Sequence, residues 1–284
     1  MSDASRLIDG WPEGRPLAIS VNIMLEGWTD DAAPGIGPMG NPLKAGVLDL
    51  QARSWAGYGP KIGAWRILEL LAAAGVRAVW YVSGIVAERY PALIEAIADQ
   101  GHCVAAHGWS QNIIPAYQSE EQEIGDLRRC TDVLSATAKQ PPRGWLSPRC
   151  TPSSRTSGLL AEAGYGWHAD TFDSDVPYIL KTVAGPITAM PFTMEVNDMP
   201  LYIRYGNEPA AFTHVLEKIV SNWASIGNHP GCLDITIHAH VFGRPYGLIE
   251  FKNAIALARR APGVWLCDHA ALAALYGPRS SVPT

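Results

Sequence analysis

The chain is poor in charge. Asp, Glu, Lys and Arg make up 17% of its 284 residues and leave a net charge of −5. The electrostatic pull that nucleic acids and anionic membranes exert on basic proteins is therefore missing, and neither is expected as a partner. Cysteine is sparse: five residues, at 103, 130, 150, 232 and 267, with no C-x-x-C pair among them. They read as reduced core thiols, which goes with a cytoplasmic protein rather than a disulfide framework. No run is apolar for long enough to span a bilayer. The opening Met-Ser-Asp-Ala-Ser-Arg has no apolar stretch of the kind a secretion signal needs, so none is expected. No G-x-G-x-x-G follows the first strand-like segment, which counts against nucleotide binding. No G-x-S-x-G elbow and no activated cysteine stand out, which counts against a covalent serine or thiol mechanism.

What is present is an ordinary globular content, 48% hydrophobic, with ten Trp. Residues 1–16 read as a leader, mostly polar, and 17–284 as one domain without repeat or linker. Strands are predicted at 17–26, 78–82, 103–107, 144–147, from 167, and at 187–192, 232–240 and 264–267. Helices are predicted over 63–74, 87–100, 119–139, 156–163, 209–226, 247–261 and 269–276, with Ser119 as an N-cap. The Gly-, Pro- and Asp-rich stretch 28–59 reads as a long loop of the kind that often carries function. Alternating strand and helix predicts an α/β fold with parallel strands. In the first strand Val21, Ile23 and Leu25 share one face, and Ser20, Asn22 and Glu26 the other. A polar inner face suits a barrel whose C-terminal rim holds a site; an open doubly wound sheet is the competing arrangement.

Several polar residues sit at predicted strand ends. Glu26 closes the first strand, as a general base or water-orienting carboxylate whose pKa apolar Leu25 and Trp28 are expected to raise, or as a rim carboxylate paired with an Arg. His107 lies in Val104-Ala-Ala-His107-Gly-Trp109-Ser-Gln111, as an acid or base, a water-orienting group, a metal ligand or a satisfied core histidine. His238 and His240, two apart on a strand with Asp234 and Thr236, point the same way. One of them is placed to protonate a leaving nitrogen; the plainer reading is a structural hydrogen-bonded pair. Arg149 follows Ser147-Pro148 and would hold a carbonyl or carboxylate, or anchor Asp170 or Asp175. Glu195 and Asp198 are expected to line the pocket. Trp28, Trp109, Trp145 and Trp167 adjoin these segments and are expected to wall it. Asp173 and Asp175, before Pro177, are turn-prone. His102, His214, His229 and His269 belong to no constellation and read as surface or packing residues.

The His107–Gln111 segment resembles the H-[ST]-x-x-H metal motif of the polysaccharide deacetylase (NodB-like, carbohydrate esterase 4) superfamily. Three further segments extend the resemblance over about 17–276. They are Ser20-Val-Asn-Ile-Met-Leu-Glu26-Gly27, where sugar deacetylases have T-F-D-D-G; Gly144-Trp-Leu-Ser-Pro-Arg149 continued by Asp170 and Asp173-Ser-Asp175-Val-Pro-Tyr178; and Pro191 to Met199 with Ile237-His238-Ala-His240. The subgroup resembled is the allantoinase-like and cyclic-imide-hydrolase-like branch. The resemblance implies a distorted, seven-stranded (β/α)7 barrel, with His238 at the family's acid-histidine position. Sugar deacetylases use an Asp base and a metal held by a second Asp and two His. Here Leu25 takes the base position, Glu26 the metal-Asp position and Gln111 that of the second His. A divalent ion such as zinc on Glu26 and His107 alone would be poorly held, unless Asp30, Asp31 or Asp198 folds back.

The function so implied is hydrolysis of a carbon–nitrogen bond other than a peptide bond, in a small amide, imide or ureide, cyclic or open, with no cofactor required. Glu26 and His107 would position or deprotonate water, Arg149 and backbone N–H groups would stabilise the oxyanion, and His238 would protonate the departing nitrogen. Trp28, Trp109, Gln111, Trp145, Asp170, Asp175, Glu195, Asp198 and His240 would contact the substrate. The alternatives are a metal-dependent N-acetyl-sugar deacetylase and a catalytically inactive ligand-binding protein or subunit. A small-molecule substrate and a homo-oligomer are the expected partners.

Overall fold

Leu17–Leu25, buried at all nine positions, forms β1, and the rest of the sheet is laid out around it. The computed structural model describes residues 10–40, 43–44, 46–226 and 230–276. In chain order β1 is followed by α1 (Leu50–Tyr58), α2 (Ala64–Ala74), β2 (Val79–Val82), α3 (Gly84–Arg89), α4 (Pro91–Asp99) and β3 (Cys103–Ala106). Then come α5 (Glu120–Ala138), β4 (Gly144–Trp145), α6 (Thr156–Glu162), β5 (Trp167–Thr171), β6 (Tyr178–Thr182), β7 (Gly185–Pro191) and β8 (Val196–Asn197). The chain continues through α7 (Ala210–Ile226), β9 (Gly231–His238), α8 (Pro245–Arg260), β10 (Val264–Cys267) and α9 (His269–Tyr276).

The sheet order is β6-β7-β5-β4-β3-β2-β1-β9-β8, with β10 beside the first half of β1. Among the described residues every pairing of these strands is parallel except the β6–β7 hairpin. The sheet curls into a half-barrel. Val21, Ile23 and Leu25 face outward into the core shared with the helices, while Ala18 and Met24 join Tyr81, Trp167 and Phe192 in a separate inner cluster. The predicted two-faced first strand and the α/β barrel class are both present. Among the described residues no ladder joins β7 to β8. That side is stitched by Asp234, whose carboxylate accepts from the Thr193 N–H at 2.8 Å and whose own N–H donates to Thr193 Oγ1 at 2.7 Å.

Local chemistry explains most element ends. Ser119 and Gln122 cap α5 reciprocally, and Gly75, at φ +61°, ends α2 in the left-handed conformation. Three expectations need correction. The 87–100 helix is broken into α3 and α4 because Pro91 starts a new first turn. The hairpin strand β6 was not predicted. The 28–59 loop contains α1, capped by the Asp49 carboxylate on the Ala52 N–H, and a π-turn over Gly59–Gly63 carries it directly into α2. Of the leader, only residues 10–16 are described. Trp11 is buried against the inner cluster, donating from Nε1 to the Gly231 carbonyl at 2.8 Å. No helix among the described residues is long and apolar enough to cross a membrane.

Candidate active site

Parallel pairing makes strand ends coincide. Met24 stands level with His238, and Leu25 with Val82, which is level with Ala106. The next residues, Glu26 and His107, therefore emerge at the same rim as His238 and His240. Glu26 Oε1 lies 3.7 Å from His107 Nε2 and 3.9 Å from His238 Nε2; Glu26 Oε2 lies 3.9 Å from His240 Nδ1. The cluster is nearly closed to solvent: the Glu26 side chain is 11% exposed and the three imidazoles less. Gaps of this size exceed a direct hydrogen bond and suit one water or one substrate oxygen held between the groups.

The outer faces of two rings define their protons. His107 Nδ1 is 2.7 Å from the Leu146 carbonyl, which only accepts, so Nδ1 carries hydrogen and Nε2 faces Glu26. His238 Nδ1 is 2.6 Å from Asp198 Oδ1, while Asp198 Oδ2 accepts from the backbone N–H groups of His238 and Phe242. Burial alone would discharge His238, but Asp198 and then Glu26 outweigh it and raise its pKa. Burial pushes the Asp198 carboxyl up as well, so the pair as a unit retains its proton. Burial would also raise Glu26; the neighbouring imidazoles, His238 first, outweigh burial and bring it to about 2. Glu26 is thus a permanent anion rather than a proton acceptor poised near neutrality. His240 is driven down to about 3, chiefly by burial, and is neutral.

The other predicted residues divide. Trp28 reaches the cluster, its ring 5.8 Å from that of His240. Gln111 is buried, and all its polar atoms hold backbone or neighbours: Nε2 donates to Ser83 Oγ and the His107 carbonyl, and Oε1 accepts from the Arg149 N–H. Arg149 is exposed at the rim, in a left-handed turn with Cys150 at φ +56° and +52°. The backbone N–H groups of Arg149, Cys150 and Thr151 are all engaged within the turn or by Gln111, so only the Arg149 side chain remains for an oxyanion there. Among the described contacts it makes no pair with Asp170. Asp170 accepts from Ser147 N–H and Oγ, and burial raises it to about 6.

Trp109 and Trp145 do not wall the site. They turn outward into the helix-side core, Trp109 under the Arg129 guanidinium and Trp145 against Tyr165. Trp167 lies in the inner cluster with Tyr81 and His269. Asp175 and Glu195 are exposed. His102 is a buried acceptor for the Ala78 N–H and His214 is exposed, as expected; His229 lies outside the described residues. His269 is no surface residue: it bridges Tyr81 Oη at 2.6 Å and Asp234 Oδ1 at 2.8 Å. Sequence reasoning also missed Trp55, whose ring centre is 4.5 Å from that of His240. The Asp49-x-x-Ala52 cap was the available signal for its helix.

The donor set does not fit a conventional divalent-metal site. Leu25 is buried in the outer core. Gln111 is committed to bracing, and His238 holds a proton on the nitrogen facing Asp198 and is biased toward a second. Asp198 stands behind His238, Asp30 pairs with Arg89 at the surface, and Asp31 is exposed. None of the three folds back onto Glu26 and His107. Among the described residues, no group of three or more His, Cys, Asp or Glu is arranged to hold a metal ion.

Residues 57–167 match the family described as polysaccharide deacetylase, a span that includes His107 and Gln111. Over that span the chain is similar to a polysaccharide deacetylase domain. The peptidoglycan deacetylase of Helicobacter pylori is 21% identical to this chain, over 73% of it and 81% of the relative. Two solved structures superpose with a TM-score of 0.84 at 25% identity: a probable polysaccharide deacetylase of Pseudomonas aeruginosa PAO1, over 93% of this chain and 92% of that one, and the Puue allantoinase, over 93% and 91%. These likenesses class the chain with hydrolases of carbon–nitrogen bonds outside peptides.

Proposed function

We propose that this deacetylase-type protein hydrolyses a small cyclic amide, imide or ureide by direct attack of water, without a metal ion. The observation that carries the reading is the three-way gap at Glu26 Oε1, with His107 Nε2 at 3.7 Å and His238 Nε2 at 3.9 Å, the latter ring backed by buried Asp198. Water in this gap donates one hydrogen to Glu26. Nε2 of His107, the nitrogen opposite its Nδ1–H, takes the other proton as the oxygen adds to the substrate carbonyl carbon. The C–N bond then breaks, and His238 Nε2–H delivers a proton to the departing nitrogen. Placing acid and base separately in this way is worth roughly 10² to 10⁴ in rate for each. The Arg149 side chain and the His238 cation are the groups available to the oxyanion. The nearly closed cluster favours a small ring over a polymer, as does the likeness to an allantoinase.

The family match and the peptidoglycan deacetylase relative favour a second reading, hydrolysis of an N-acetyl sugar. One experiment separates the two. Protein stripped with a chelator, its residual metal quantified, is assayed on a cyclic ureide, a cyclic imide and N-acetylglucosamine oligomers, with Glu26→Gln as control. Turnover of a ring amide by metal-free protein, falling at least about a hundredfold in Glu26→Gln, is the expected result. Activity on the sugar alone, restored by zinc, would sink the proposal.

A further inference from the structure

His240 has no task in the scheme above, yet much of the neighbouring structure serves to hold it. It follows β9 in a turn pinned to α1 and the π-turn after it. A Cβ on Gly59 would lie 3.2 Å from the His240 nitrogen and 3.3 Å from its Cβ, so glycine permits this close approach. Arg244 completes the clamp: its Nε donates to the His240 carbonyl at 3.1 Å, its Nη2 to the Trp55 carbonyl at 3.4 Å, and its guanidinium lies 4.1 Å over the Tyr58 ring. The clamp sets Trp55 edge-on to the His240 ring, with Trp28 edge-on beside it.

Inside this wall His240 is 1% exposed, and its Nε2 is buried without a hydrogen-bond partner. Its other nitrogen, Nδ1, faces the Glu26 carboxylate at 3.9 Å. An anion beside Nδ1 favours the tautomer with its hydrogen there, which leaves Nε2 as a lone pair. A buried acceptor walled by indoles selects a ligand that brings a donor, because any other occupant leaves it unpaired.

We propose that His240, walled by Trp55 and Trp28, is the specificity residue of this site: its Nε2 accepts a hydrogen bond from an unsubstituted ring N–H of the substrate whose carbonyl sits at the Glu26–His107–His238 gap. The inference rests on the ring-amide reading above and adds a requirement to it: the substrate must be planar and carry a free N–H.

Kinetics on hydantoin and on its two singly N-methylated analogues test this in wild type, His240→Phe and His240→Gln. Phe keeps a flat apolar wall and removes the acceptor; Gln restores one. Wild type is expected to prefer the free ring to one of the methylated rings by at least about tenfold in kcat/KM. In His240→Phe, KM for hydantoin rises by about tenfold or more while kcat changes less than about threefold, and the preference vanishes. His240→Gln recovers part of both, and the alkaline limb of the pH profile stays in place. Unchanged KM and preference in a folded His240→Phe protein overturn this inference and leave the ring-amide reading intact. Loss of kcat with KM and preference kept overturns it too, by placing His240 in the chemistry. A wild type that hydrolyses N-acetyl-sugar oligomers and no ring amide overturns both.

Discussion

Asp198 uses both carboxylate oxygens on the β9 end: Oδ1 on the His238 ring, Oδ2 on two backbone N–H groups. It thereby fixes which His238 nitrogen faces Glu26 and raises the pKa of that ring. The acid must be protonated to act, so activity is present below the pKa of His238 and is lost as pH rises through it. Asp198→Asn removes the anion and lowers that pKa. The alkaline limb of kcat/KM against pH is expected to move to lower pH, with kcat down by roughly 10² to 10⁴; a limb that stays put would refute the assignment of His238 as the acid. Glu26, at about 2, does not set the acid limb. Glu26, His107 and His238 were legible in the sequence because each ends a strand whose alternation betrays its direction. The role of Asp198 was not: only the tertiary placement of this residue, which precedes a π-helical turn over Met199–Arg204, brings its carboxylate behind the ring. Nor was the loss of Gln111 as a ligand explained by its identity alone; its three bracing hydrogen bonds are a property of the fold.

The element that decides the shape of the site is α1. The Gly and Pro on either side of it read as loop, although Leu50, Gln51, Ala52, Arg53 and Ala56 favour a helix and Asp49 caps it. What forms it is burial of Ala52, Trp55 and Ala56 and continuity through the π-turn into α2. That continuity depends on glycine. A Cβ at Gly63 would collide with the Ala239 carbonyl oxygen at the end of β9. Gly63→Ala is therefore expected to destabilise the protein by about 1–3 kcal/mol or more, measured by urea unfolding, and to raise KM by displacing Trp55 from His240. Unaltered stability would mean that the contact is easily relaxed. By contrast, the α5 capping box and the left-handed end of α2 follow from residues within one turn of each other, and such features were readable without a structure.

Across the whole molecule, the half-barrel is open between β7 and β8 among the described residues, and its interior is tied by polar chains rather than closed by strands. Tyr81 on β2, His269 opening α9 and Asp234 on β9 form one such chain, with Thr193 at its far end. His269→Leu orphans a buried phenol and a buried carboxylate. It is expected to cost about 1–3 kcal/mol in denaturant unfolding, with kcat/KM within about fivefold of wild type. A catalytic collapse without loss of stability would show that the chain works in the reaction instead. By itself the sequence determined the alternation of strands and helices, the inward polar face of β1 and the rim position of Glu26, His107 and His238, since these follow from local periodicity and spacing; the incomplete metal motif was visible only through the family resemblance. Only the tertiary structure decided that Trp109 and Trp145 turn away, that Trp55 turns in, that Asp198 stands behind His238 and that His269 is buried. Those outcomes depend on which distant surfaces meet when the sheet curls, and no short stretch of sequence encodes that meeting.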